Sequence, residues 1–160
     1  MFRGNFIARV DKKLRLKIPS SFKQQIDESR DNRFFITSAT GQDVDIYPLS
    51  EWEKIDEKLL SSLGSETAVK SYLQKTAYYG EEVTMDAHGR LKLPQRLCAE
   101  ANIAPGVEVA VSGRAAMFSA VNREQLEASL SQQLSNADRQ ALAEVLHERI
   151  NPQKNSENAS

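Results

Sequence analysis

Asp11 and Arg15 stand four residues apart in DKKLR, as do Asp86 and Arg90 in DAHGR, and in each copy a proline, Pro19 or Pro94, follows four residues after the arginine. A carboxylate and a guanidinium at that spacing have two chemical uses. The aspartate can pin the arginine across a turn, an exposed pairing worth about 0–1 kcal/mol. Alternatively the arginine, a planar fork of donors, can meet phosphates or base edges, with lysines beside it as mobile point charges. The uses are compatible, because an aspartate can orient an arginine that then meets a nucleic acid.

A different chemistry is offered by Glu81, Glu82, Asp86 and His88, where an imidazole beside carboxylates suits proton transfer. Against it, Asp86 already has a repeat-level explanation that Asp11 shares and His88 does not. His88 and His147 are far apart in sequence, Cys98 reads as a buried helix residue, and neither metal-ligand spacing nor a nucleophile motif is present. The expectation is a protein that is not an enzyme, with no metal, no cofactor and no small-molecule substrate.

The repeated motif sits inside a longer repeat. Aligning Asp11 with Asp86 superposes Leu16 on Leu91, Lys17 on Lys92 and Ile18 on Leu93, and upstream it sets Ala8 and Val10 on Val83 and Met85. Those alternate apolar positions mark one buried face of a strand, so DKKLR and DAHGR are connecting turns. Beyond each turn Arg15 and Lys17, or Arg90 and Lys92, share the face opposite the leucines, roughly 7 Å apart. PSSFKQQI and PQRLCAEA then read as short helices with a proline in the first turn.

Two strand-like runs follow in each half, RFFITSAT with VDIYP and VEVAVS with AAMFSAV. Each half then becomes helical: Ser50 to Glu53 resembles a capping box ahead of Trp52, Ile55, Leu59 and Leu63, and Asn122 to Gln125 stands ahead of Leu126 and Leu130. ETAVKSYLQKTAYY bridges the halves, and the stretch with Ala141, Leu142, Val145, Leu146 and Ile150 is a candidate for the same role at the end. The expected organisation is a repeat at 1–52, bridging helices at 53–80, a second repeat at 81–122, C-terminal helices at 123–150 and a disordered tail at 151–160. Neither copy has enough apolar residues to stand alone, so the halves are expected to pair about a pseudo-two-fold axis and close one barrel-like core, an α+β fold.

At 160 residues with 40% hydrophobic content the chain is long enough for that arrangement. One cysteine allows no internal disulfide, and no apolar run suits a membrane span or a secretory leader, which sets the expectation of a cytoplasmic protein without a membrane partner. The formal net charge of -1 is not that of a typical nucleic-acid binder, yet its distribution is uneven. Arg3, Arg9, Lys12, Lys13, Arg15, Lys17 and Lys23 face only Asp11 in the opening segment, while acids gather in EWEKIDEK and GEEVTMD.

Taken together, MFRGNF, DKKLRLKIP, IYPLSEWE and DAHGRLKLP resemble the MraZ family of bacterial transcription regulators over roughly residues 1–130, with four motifs in the right order. The resemblance implies a duplicated swapped-hairpin barrel of the AbrB and SpoVT kind. It further implies sequence-specific binding of double-stranded DNA at repeated sites ahead of the division and cell-wall gene cluster, by a ring-shaped, nucleoid-associated homo-oligomer.

The family's Asp-x-x-x-Arg motif falls on Asp11 and Arg15 and on Asp86 and Arg90, making Arg15 and Arg90 the leading readers, inserted into successive major grooves. Arg3, in the matching MFRG opening, and Lys13, Lys17 and Lys92 join them as DNA contacts. In the family's turn a glycine precedes the arginine, as Gly89 does; Leu14 departs from it, so the first turn is expected to take a different shape and to aim Arg15 differently. The rival reading is an oligomeric, antitoxin-like protein-binding module without specific DNA recognition, its surface supplied by helices carrying Trp52, Tyr72, Tyr78 and Tyr79 or by residues 131–150.

Overall fold

Alternating burial at Ala8, Val10, Val83 and Met85 is strand geometry, and it recurs along both halves of the computed structural model, which describes residues 1–62, 67–132 and 134–150. In chain order the elements are β1 (Asn5–Arg9), β2 (Arg15–Lys17), α1 (Ser20–Ser29), β3 (Arg33–Thr37), β4 (Val44–Pro48), α2 (Leu49–Ser61) and α3 (Thr67–Tyr79). The second half repeats them as β5 (Glu81–Thr84), β6 (Arg90–Lys92), α4 (Gln95–Glu100), β7 (Glu108–Arg114), β8 (Met117–Asn122), α5 (Arg123–Leu130) and α6 (Asn136–Ile150). Two units result, Met1–Leu126 and a shorter one from Glu127. No helix among the described residues is long and apolar enough to cross a membrane.

The strands form an antiparallel six-stranded sheet, β1-β7-β8-β4-β3-β5, and a separate antiparallel pair, β2-β6. Exchanging the halves, β1 for β5, β3 for β7 and β4 for β8, returns the same order read backwards, so the sheet obeys the pseudo-two-fold relation expected from the repeat. The first strand of each half pairs with the other half: β1 lies along β7 and β5 along β3. Each half therefore completes the other's sheet, the solution to two apolar sets too small to stand alone.

Phe22, Phe34, Leu16, Ile36 and Ile46 from the first half and Leu91, Leu97, Val109 and Phe118 from the second are fully or almost fully buried in one core. Phe22 makes an edge contact with Phe2 at 5.2 Å and meets Phe118 at 5.3 Å. The N-terminal stretch reaches this core because Gly113 has no side chain: a Cβ there would stand 2.4 Å from the Phe2 carbonyl carbon and the Arg3 nitrogen.

Two helix starts differ from expectation. Pro19 and Pro94 sit one residue ahead of α1 and α4, at the N-cap rather than in the first turn. Ser50 and Glu53 form no capping box, since α2 begins at Leu49 behind Pro48 without a side-chain cap. Burial of Leu49 and Trp52 draws β4 directly into the helix, and Trp52 stacks on Phe35 at 4.6 Å. In the second half the cap does form: Asn122 Oδ1 accepts from the Gln125 amide at 3.0 Å.

The bridging helix α3 is anchored by the Thr37 hydroxyl, which donates to the Thr76 carbonyl at 2.7 Å. In α6, by contrast, Leu142, Val145 and Leu146 are about half exposed, so it does not repeat α3's burial pattern. Leu63, the tail at 151–160 and the Ile150 side chain lie outside the described residues.

One ionisable group is poorly housed. Asp45 on β4 lies between Thr37 and Ser119 in the sheet register. Burial, with help from the charge of Asp43 and against that of Arg114, pushes its carboxyl up to about 6. A raised carboxyl binds its proton more tightly in the folded state, so stability falls as pH rises from the unfolded value near 3.8 to about 6 and is level above that. Asp45→Asn is expected to stabilise the fold at pH 8 by up to about 3 kcal/mol, at ~1.4 kcal/mol per pH unit, and to give no gain at pH 3.5. Calorimetry at the two pH values checks it; an equal effect at both excludes a titrating Asp45.

Candidate nucleic-acid interface

A chain that reverses in four residues leaves several amides without strand partners, and in both turns one aspartate satisfies them. Asp11 Oδ1 accepts from the amides of Lys13 at 2.9 Å and Arg15 at 2.8 Å, while Oδ2 accepts from Arg15 Nε at 2.7 Å. In the second turn Asp86 Oδ1 accepts from the amides of His88 at 2.9 Å and Arg90 at 3.0 Å, and Oδ2 from Arg90 Nε at 2.9 Å. The backbone closes both loops alike, Asp11 to Arg15 and Leu14 to Asp11 at 3.1 Å, Asp86 to Arg90 at 2.9 Å and Gly89 to Asp86 at 3.0 Å. The spacing of four is thus what lets one carboxylate hold both the turn and the arginine that leaves it.

Leu14 does not reshape the first turn. Its φ is 59° where that of Gly89 is 73°, so both residues occupy the left-handed region and Arg15 is held as Arg90 is. The expectation of a different shape is corrected by packing: Leu14 is half-buried against the core, and that apolar contact offsets a left-handed backbone costing about 1–2 kcal/mol for a residue with a Cβ. At Gly89 a Cβ would stand 3.0 Å from Lys23 Cδ, so the flexible lysine stem beside the turn would have to give way.

The two turns are joined by the β2-β6 ribbon, with Arg15 opposite Lys92, Leu16 opposite Leu91 and Lys17 opposite Arg90. Reciprocal bonds extend it at 2.9 Å each, from the Ile18 amide to the Gly89 carbonyl and from the Leu93 amide to the Leu14 carbonyl. Leu16 and Leu91 turn inward and are fully buried. By strand alternation Arg15, Lys17, Arg90 and Lys92 share the outer face.

Arg15 and Arg90 are diagonal neighbours on that face, about 7–8 Å apart at the backbone. Arg90 Nη1 reaches to 4.0 Å from Asp11 Oδ2, the other turn's carboxylate. Successive major grooves on one side of a duplex are about 34 Å apart, so the two arginines of one chain form a single patch and do not enter successive grooves. Lys13 is exposed at the first turn's tip. Arg3 lies ahead of β1, beside the Phe2–Ala115 bridge and before the bend at Gly4, outside the β2-β6 ribbon.

Hydrogen bonds from the Arg15 amide and side chain and the Lys13 amide, against some desolvation, hold Asp11 below the ordinary 3.8. For Asp86 desolvation acts upward but is outweighed by bonds from the Arg90 and His88 amides and the Arg90 side chain. Both carboxylates are ionised at neutral pH, with each arginine held through Nε and its side chain partly exposed. Burial, together with the charge of Glu81, raises the Cys98 thiol to about 11, far from a reactive thiolate. Among the described residues no three His, Cys, Asp or Glu side chains are grouped to hold a metal ion. What the ribbon presents is two guanidinium groups held at Nε and the exposed lysines Lys17 and Lys92.

A lowered carboxyl gives turn stability that is complete above 3.8 and is lost as pH falls through the folded value. The Nε–H signals of Arg15 and Arg90 are therefore expected to stay protected from solvent exchange at pH 4 and to lose protection only below 3.8 in a proton NMR titration. Loss already at pH 5 contradicts the pairing.

Comparison with known proteins places this geometry in a family. A family model described as "MraZ protein, putative antitoxin-like" matches residues 1–75. The chain is 43% identical over 145 residues to the transcriptional regulator MraZ of Acidobacterium capsulatum, covering 90% of this chain and 98% of that one. It is 40% identical over 114 residues to the MraZ regulator of Koribacter versatilis, covering 71% and 76% of the two chains. With that of Thiobacillus denitrificans it shares 30% identity over 135 residues, or 84% and 90%. With relatives of this identity and coverage, and a repeated Asp-x-x-x-Arg turn at its centre, the chain belongs to the MraZ family of transcriptional regulators.

Proposed function

We propose that this chain is a sequence-specific regulator that binds double-stranded DNA by laying the β2-β6 ribbon into the major groove. The observation that carries the reading is the ribbon itself, with Leu16 and Leu91 buried beneath it and Arg15, Lys17, Arg90 and Lys92 on its other side. A two-stranded ribbon fits a major groove about 12 Å wide. Arg15 and Arg90, oriented by Asp11 and Asp86, present paired donors to guanine edges or phosphates, while Lys13, Lys17 and Lys92 neutralise the groove walls. Arg3, away from the ribbon, serves at most a flanking phosphate.

The reciprocal exchange of first strands supports a swapped-hairpin, AbrB-like barrel built from repeats at 1–52 and 81–122. Family membership supports the rest of the reading: a ring-shaped homo-oligomer in the cytoplasm, associated with the nucleoid and acting on repeated promoter sites ahead of the division and cell-wall genes. A ring also answers the charge question, because a near-neutral chain binds DNA when several basic ribbons act together.

Binding to DNA from the chain's own upstream promoter, followed over a salt series, tests the reading. Arg15→Ala and Arg90→Ala, with assembly unchanged by light scattering, are expected to lose specific binding, and each lost phosphate contact flattens the slope of log affinity against log salt by about 0.9. Wild-type affinity in both variants makes the arginines structural pins. Failure of the wild type to bind any DNA gives the reading to an antitoxin-like protein-binding module, for which Leu142, Val145 and Leu146 on α6 supply exposed apolar surface.

A further inference from the structure

The centre of the six-stranded sheet carries a row of small polar groups on the face turned away from the core. There β4 and β8 pair Val44 with Ala120, Asp45 with Ser119 and Ile46 with Phe118. The first and last of these pairs are buried in the core, so alternation sets Asp45 and Ser119 on the outer face. Thr37 stands opposite Asp45 on β3, and Ser112 opposite Ser119 on β7. Exchange of the halves sends Thr37 to Ser112 and Asp45 to Ser119, so the pseudo-two-fold axis passes between a carboxylate and a hydroxyl. An exact repeat would place two like groups there.

Neither member of this central pair has a partner. Ser119 is 1% exposed, and its Oγ makes no hydrogen bond among the described residues. Asp45 is half-buried and likewise has no hydrogen bond or ion pair among them. Its charged neighbours act only at a distance: Asp43 on the same strand repels it, and the exposed Arg114 on β7 attracts it without pairing. Tyr47 on β4 and Tyr72 on α3 are bonded to each other, and burial keeps both phenols neutral. An unpaired carboxylate beside an unpaired buried hydroxyl is costly, and a cation that carries hydrogen-bond donors satisfies both. The flanking hydroxyls have acceptor capacity to add. Thr37 gives its proton to the Thr76 carbonyl at 2.7 Å, and Ser112 accepts a single bond, from Asn5 Nδ2 at 2.9 Å.

We propose that Asp45 and Ser119 form a binding site for a primary alkylammonium ion, with Thr37 or Ser112 as the third acceptor. A sheet face supplies ligands from one side only. A metal ion there would keep much of its shell as water, whereas an alkylammonium ion carries three donors on one side and its chain on the other. One carboxylate balances one positive charge, and a divalent ion would leave an excess beside Arg114. The alkyl chain has Val121 and Tyr47 to lie against, both half-buried on the same face. The site uses no residue of the β2-β6 ribbon and is independent of the DNA-binding reading.

Calorimetry of the full chain at pH 8 tests the site, comparing n-butylammonium chloride with potassium chloride and tetramethylammonium chloride at equal concentration. The two reference cations carry the same charge without an N–H donor. At ten times its Kd, butylammonium is expected to raise Tm by about 3–6 °C over either reference salt. The gain falls away at pH 4.5, where Asp45 carries its own proton, and in Asp45→Asn, which is expected to fold more stably than the wild type. Ser119→Ala raises the Kd about tenfold at pH 8. Equal Tm values in the three salts, or a butylammonium gain that survives Asp45→Asn, overturn the proposal. It is overturned equally if no free amine acts while Asp45→Asn changes assembly in light scattering, because the cation on Asp45 then belongs to a second chain.

Discussion

Three residue pairs between β2 and β6 are the joint on which the rest of the molecule depends. Leu16 and Leu91 meet at its centre with no exposed surface, each contributing about 1.5–3 kcal/mol by burial, and the residues on either side cannot move inward without bringing a charge with them. Alternation then has one outcome. If the leucines are inside, Arg15, Lys17, Arg90 and Lys92 are outside, on a strip that belongs to neither half alone. The basic surface is thus a by-product of how the halves hold each other, and a register slip of one residue would bury cations and dismantle surface and core together.

The same joint explains why the arginines need their aspartates. A two-stranded ribbon of three pairs is marginal alone, and its ends would fray without closure. Asp11 and Asp86 close them by collecting two amides and a guanidinium each, so one carboxylate fixes the turn, ends the ribbon and sets the direction of the arginine. A structural pin and an orienting group for a reader are therefore one arrangement seen from its two sides. Each guanidinium is held in place because its Nε is bound to its own turn's aspartate.

Much of this was legible in the residues. Period-two alternation at Ala8 and Val10 and at Val83 and Met85 located the strands, and the repeat implied halves paired about a pseudo-two-fold axis around a closed barrel-like core; the order β1-β7-β8-β4-β3-β5 agrees with the two-fold relation, but β1 and β5 stand at the two ends of the sheet and do not pair to close it. What sequence reasoning missed depends on contacts between distant segments. Nothing local says that β2 pairs with β6, so the arginines looked like two reading heads instead of one patch. Leu14 looked like a break in the pattern because a left-handed leucine is unfavourable in isolation, and the half-buried site that offsets the strain is visible only in three dimensions. The capping box at Ser50 and Glu53 failed for a similar reason: the burial of Leu49 and Trp52 outweighed a local hydrogen-bonding preference.

Duplication within one chain has a physical consequence that a dimer of identical hairpins lacks. In such a dimer both tips carry the same residues, and whatever one end recognises the other recognises equally. Here the backbone demands of the turn, a carboxylate, an arginine and a residue in the left-handed region, are met twice, the last of them by different residues, and the tip positions differ as well. Leu14 and Gly89 reach the same φ region by different means, one covered by packing and the other by the stem of Lys23. Lys12 and Lys13 stand where Ala87 and His88 do. The symmetric frame is fixed by hydrogen bonds matched in both turns, and the residues differ both at the tips and at the left-handed position without changing it.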